Sequence, residues 1–161
     1  MTKLRKLTAL LLAGALTLLL LTACSGGGGS SGPEAQAEAE VMGAIRNNPS
    51  TASLKYDDGM CNIAKETLAK ADLDADLKGS IGGYKFYNDV KYDKETSTLT
   101  LIAQYDYQNT KLDDLIGCIT EGNKSSNLNF NHSSKWTKVG VAAKIHQGQT
   151  YIAITLQVKT T

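Results

Sequence analysis

Three cysteines, Cys24, Cys61 and Cys118, and two histidines, His132 and His146, are the side chains of this 161-residue chain best suited to nucleophilic, acid-base or metal chemistry. No Cys-His or Ser-His-Asp spacing accompanies either histidine. Zinc needs three or four converging ligands, so no metal is expected here. His146 falls at an expected hairpin tip, where a solvated imidazole is the ordinary outcome. A catalytic role for His132 or His146 would require a cleft holding it within about 4 Å of a carboxylate, because general acid-base work proceeds through that contact. Asp72-Leu73-Asp74-Ala75-Asp76 has the alternating acids of a calcium loop. The sixth and twelfth positions, which an EF-hand fills with Gly and Glu, hold Leu77 and Gly83, so these acids read as a solvated helix end. The inventory points to no catalytic residue, no metal and no cofactor.

Cys24 is different, because of what surrounds it. Lys3, Arg5 and Lys6 precede an apolar run from Leu7 to Leu21, broken by Thr8, Gly14 and Thr17. That is the charged n-region and apolar h-region of an export signal. A bilayer span needs about 20 apolar residues with anchors at both ends, whereas this shorter run opens directly into Gly and Ser. Leu21-Thr22-Ala23-Cys24 resembles the lipobox of bacterial lipoproteins. The resemblance implies that residues 1–23 are a cleaved signal peptide and that Cys24 carries diacyl and N-acyl chains, palmitate among them. The implied location is the extracytoplasmic face of the cell membrane, or an outer membrane in a cell that has one. Residues 24–34 then read as a lipidated Gly/Ser tether. Its Ser25 to Gly32 stretch is a flexible coil with an end-to-end distance of about 15 Å, enough to lift a domain off the headgroups without fixing its orientation. The alternative is an ordinary secretory signal that happens to contain a cysteine.

The chain holds 17 Lys and Arg against 16 Asp and Glu. Three of the basic residues lie in the leader and none of the acids does, so the remainder is slightly acidic. Such a surface suits neither nucleic acid nor electrostatic docking on anionic lipid. Residues 35–161 are of ordinary size for one domain.

The elements that must position these residues follow from periodicity. Glu34 to Asn47 reads as a helix with Ala37, Val41, Ala44 and Ile45 on one face, ended by Asn47-Asn48-Pro49. A second helix starts near Asp57, a candidate N-cap, with Met60, Ala64, Leu68 and Ala71 on a stripe and Cys61 at its edge. From Tyr84 the period becomes two: Leu99, Leu101, Ala103, Tyr105 and Tyr107 alternate with Thr98, Thr100, Ile102, Gln104 and Asp106, and this strand pairs with Lys85 to Tyr92 across the turn at residues 93–97. Lys111 to Glu121 reads as a short helix with Cys118 at the edge of its inward face. Val139 to Ile145 and Ile152 to Val158 alternate around His146-Gln147-Gly148-Gln149, the clearest hairpin in the chain. The expected class is α+β, an antiparallel sheet with helices on both faces.

Export makes an oxidised Cys61–Cys118 pair plausible, each thiol pointing into a seam between packed helices. Such a bridge would contribute about 4 kcal/mol in the chain-entropy account. Two independent buried thiols are the alternative.

Lys135-Trp136-Thr137-Lys138-Val139-Gly140-Val141-Ala142, followed by Thr150-Tyr151-Ile152-Ala153-Ile154, resembles the closing strands of the CAP superfamily, the cysteine-rich secretory and pathogenesis-related proteins. Ala44-Ile45-Arg46-Asn47 and Leu54-Lys55-Tyr56-Asp57-Asp58-Gly59-Met60-Cys61 are similar to that family's opening helix, loop and second apolar stripe. The resemblance implies an α-β-α sandwich, with the sheet held between the Asp57 to Leu73 and Lys111 to Glu121 helices. It also implies that Gly122 to Ser134 passes over the cleft. The family's tetrad of two histidines and two acids is not in place: Asn127 stands where one histidine would be, and Tyr87-Asn88 stands at the Glu-Asn step. A scaffold without cleft chemistry is what remains.

Seven tyrosines are many for a chain of this size. Tyr84, Phe86 and Asn88 share one strand face, and with Asn127 and His132 they are the candidate ligand-binding residues, against ordinary sheet packing as the plainer reading. The function expected is a surface-anchored, non-catalytic binding or scaffold module for a cell-wall glycan, a peptide or another envelope protein. The alternative is a divergent envelope enzyme acting on peptidoglycan or peptides.

Overall fold

The computed structural model describes residues 32–77, 79–81, 84–92, 95–105 and 135–159. The leader with Cys24, the Lys111 to Glu121 helix with Cys118, and the Gly122 to Ser134 segment with Asn127 and His132 lie outside them. The described chain runs α1 (Pro33–Asn47), β1 (Lys55–Tyr56), α2 (Asp58–Lys70), β2 (Gly79–Ile81), β3 (Tyr84–Tyr92), β4 (Thr96–Tyr105), β5 (Trp136–His146) and β6 (Gln149–Lys159). The α+β class is therefore observed, with one sheet ordered β1-β5-β6-β4-β3-β2. β1 joins β5 in parallel and every other pairing is antiparallel.

Local chemistry accounts for the helix ends. Pro33 sits in the first turn of α1, where its missing N–H leaves no helical bond unmade, and Glu34 lies beside it at the positive end of the helix. Asn48, extended ahead of Pro49, closes the helix. Pro33 and Glu34, which the sequence reading counted with the Gly/Ser stretch, are helical, and Glu34 bonds to the sheet. At α2, the Asp57 carboxylate accepts the Met60 N–H at 3.1 Å, the N-cap expected. β5 and β6 meet through a two-residue turn in which Gln147 (φ 50) and Gly148 (φ 78) are both left-handed, the twist that a tight antiparallel hairpin favours.

Alternation along the strands sorts the core into two layers. Leu99, Leu101, Ala103 and Tyr105 of β4, Val139 and Val141 of β5, and Ile152, Ile154, Leu156 and Val158 of β6 pack with Ala37, Val41, Met42 and Ile45 of α1. The intervening residues, Ile102, Ala142, Tyr151 and Ala153, pack with Ala64 and Leu68 of α2 and with Leu73 and Leu77 beyond it. Since neighbouring strand residues point to opposite faces, α1 and α2 cover opposite faces.

The open side of β5 beyond β1 is closed by side chains. Ala143 donates its N–H to Glu38 Oε1 at 2.9 Å, and Ile145 donates to Glu34 Oε1 at 2.8 Å. Four residues of helix advance about 6 Å and two residues of strand about 6.6 Å, so carboxylates one turn apart meet alternate strand amides. Asp57 adds its own N–H to the Val139 carbonyl at 3.0 Å. Bare strand edges invite pairing with other chains, and here α1 blocks the amides that would do it. Glu38 is buried for this purpose. Burial pushes its carboxyl above the ordinary range, opposed by the Ala143 N–H and the Lys65 charge.

Candidate functional site at the hairpin end of the sheet

Among the described residues, the side chains that could do chemistry gather where the β5–β6 hairpin meets the loop after α2. That loop is a compact acidic turn. Asp72 Oδ1 accepts the N–H groups of Asp74 and Ala75 at 3.1 Å each, and Asp76 Oδ2 accepts the Asp72 N–H at 2.9 Å. Two of the three acids thus turn oxygens back onto their own backbone, as short Asp side chains do in turns. The run stands just beyond the end of α2, with Asp72 and Asp74 exposed. Asp74 alone reaches outward: its Oδ2 lies 3.2 Å from His146 Nε2 and accepts the Gln147 amide at 3.1 Å. His146 also meets Tyr151 edge to face at 6.2 Å. Between β4 and β6, Gln104 donates to Gln149 at 2.8 Å.

His146 therefore meets the distance criterion for acid-base chemistry. The setting is otherwise. The imidazole is about one-third exposed and the Asp74 carboxylate about two-thirds, so the pair sits in high dielectric at a hairpin tip, with Gln147 sharing both partners. No hydroxyl or thiol among the described residues joins His146; its polar contacts are Asp74 and Gln147. The arrangement ties the hairpin tip to the α2 loop, and nothing in it activates a nucleophile. Among the described residues there is no group of three His, Cys, Asp or Glu able to hold a metal.

The other expected site residues divide between the sheet and the chain outside the described residues. Tyr84, Phe86 and Asn88 lie on β3, where Phe86 is registered against Ala103 and Asn88 against Leu101. Tyr87, registered against Ile102, packs on the α2 side, and burial pushes its hydroxyl up with help from Asp89 and Asp76. Cys61 is buried. Cys24, Cys118, Asn127 and His132 lie outside the described residues.

Two features escaped the sequence reading. One is Gly140. A Cβ there would lie 2.1 Å from the Cys61 nitrogen and 2.3 Å from the Met60 carbonyl carbon, so α2 rests on the β5 backbone itself. The Lys135 to Ala142 segment singled out in the sequence contains the residue without showing what it touches. The other is the Asp74–His146 contact, whose partners stand 72 residues apart and carry no shared motif. No helix among the described residues is long and apolar enough to cross a membrane. Comparisons with protein-family models, curated protein sequences and solved structures found no match.

Proposed function

We propose that this chain is a lipoprotein anchored at the extracytoplasmic face of a bacterial membrane, carrying a non-catalytic binding or scaffold domain. One observation carries the reading: Leu21-Thr22-Ala23-Cys24 closes an apolar leader and is followed at once by a Gly/Ser stretch that ends where α1 begins. Triple acylation exceeds the two hydrophobic signals that stable anchoring needs. A Cys61–Cys118 bridge belongs to the same proposal, since export carries both thiols to an oxidising compartment. A CAP-like scaffold is the finer proposal. The two helices on opposite faces and the seating of α2 on Gly140, within the Thr137-Lys138-Val139-Gly140-Val141 stretch, support it. The ligand is a cell-wall glycan, a peptide or another envelope protein, met by polar and aromatic contacts.

Intact mass of the purified wild type tests the anchor: a chain starting at an acylated Cys24 is expected, and Cys24→Ala should leave the protein soluble or as an unprocessed precursor. An unmodified N-terminus at another residue refutes it. Peptides bearing Cys61 and Cys118 should comigrate without reductant. The contact of His146 with Asp74 favours a second reading, a divergent envelope hydrolase. Turnover of cell-wall fragments that is abolished by both His146→Ala and Asp74→Asn would bring that reading forward.

A further inference from the structure

We propose that the sheet end carrying the β5–β6 hairpin and the Asp72–Asp76 loop is the membrane-proximal end of the domain, facing lipid headgroups, and that the end carrying Glu95, Trp136 and Lys159 is the distal one. The inference rests on Cys24 being the lipid anchor. It follows from where the tether joins the fold.

α1 begins at Pro33, and its first turn is pinned to the hairpin by the bond from Ile145 N–H to Glu34 Oε1 at 2.8 Å. One turn on, Glu38 holds Ala143 in the same way, so the start of α1 cannot swing off this end without exposing two strand amides. Between the acylated residue and α1 stand the eight residues Ser25 to Gly32. Fully extended they reach about 28 Å, and as a Gly-rich coil they average about 15 Å. β5 and β6 are 11 residues each, so the sheet is about 35 Å long. The leash is thus attached at one end of a body more than twice its average length. The hairpin end always stays within reach of the bilayer, while the far end averages well above it. Whatever the tilt of the domain, the attachment at the start of α1 decides which end is near.

The chemistry of the near end fits a zwitterionic surface. Glu34, Asp72, Asp74 and Asp76 outnumber Lys144 and His146 there, so this end is repelled by anionic lipid and approaches neutral headgroups freely. Ile145, the one exposed large apolar residue among the described residues, is also here, at 41% exposure. A binding partner in the cell wall or on another envelope protein meets the opposite end.

Energy transfer tests the orientation. The full lipidated chain, carrying one donor dye on an azide-bearing residue introduced at Gln149 or at Glu95, is placed in phosphatidylcholine vesicles with a headgroup acceptor. Both positions are exposed and lie at opposite ends of β6 and β4. Transfer from position 149 should exceed that from position 95 by about twofold or more, given a leash of about 15 Å. Equal transfer, or greater transfer from position 95, on protein whose mass shows acylated Cys24, overturns the orientation and leaves the anchor standing. Absence of both transfer and the acyl mass overturns the anchor and the orientation with it.

Discussion

The two faces of the sheet are built by opposite strategies. Toward α1 the strands present Leu99, Leu101, Ile152, Ile154 and Leu156, and the helix is held off the backbone by their bulk. Toward α2 they present Ile102 and Tyr151 beside Gly140, Ala142, Ala153, Thr100 and Thr155, and over the small residues the helix descends until the Cys61 backbone nearly touches Gly140. One face is bulky throughout, while the other thins to bare backbone at Gly140. The first tolerates small changes of size, because flexible side chains share them. At Gly140 the second has no side chain to yield, so this point acts as the fixed seat that sets α2 and the loop after it.

The comparison is broken most severely at Gly140. Gly140→Val drives a side chain into the α2 backbone and should destabilise by about 3 kcal/mol or more, whereas Ile154→Val on the other face should cost about 1 kcal/mol. Urea midpoints of the two variants measure the contrast. If Gly140→Val unfolds no more readily than Ile154→Val, the seat is not rigid.

A smaller effect sharpens the polar part of the α2 face. Thr100 and Thr155 are buried with their hydroxyls 2.9 Å apart. Thr155→Val alone strands the Thr100 hydroxyl and should cost about 1–3 kcal/mol, while the double change to Val should come out near neutral. A double-mutant cycle reads the coupling, and additive single effects would show that the pair does not act as a unit.

The smallest expected effect concerns the edge of β5 and depends on pH. Glu38 is buried with its carboxyl pushed above the ordinary range. Its favourable contribution is therefore full below the unfolded-state value and is lost as pH rises through the raised folded value. Asp57 runs the other way. The hydrogen bond from Lys138 at 2.8 Å holds it low, so its contribution is present above the ordinary carboxylate range and lost as pH falls through the lowered value. Glu38→Gln keeps an acceptor for the Ala143 N–H and removes the buried charge. The variant should gain on the wild type as pH rises from acid to neutral and then level off. A melting-temperature difference that is flat across that range would show that Glu38 carries no buried charge.

Much of this was legible in the sequence, because it depends on short-range geometry. Asp57 ahead of Met60 is an N-cap whatever surrounds it, Asn48-Pro49 must end a helix, and Gly148 suits the left-handed turn that alternating strands on either side demand. The alternation of Leu99, Leu101, Ala103 and Tyr105 names a buried face by itself. The other face was not legible in this way. Gly140, Ala142, Ala153, Thr100 and Thr155 read as small and half-polar, the signature of a solvated side, and only the descent of α2 makes them core. Likewise Glu34 and Glu38 look like ordinary acids at a helix start until the fold lays α1 along an unpaired strand edge, and His146 and Asp74 are strangers until the hairpin tip lands on the α2 loop. Local pattern encodes dihedral preference and which residues seek burial. Which surface comes to cover them, and which amide meets which carboxylate, is decided by long-range packing, because those distances have no expression along the chain.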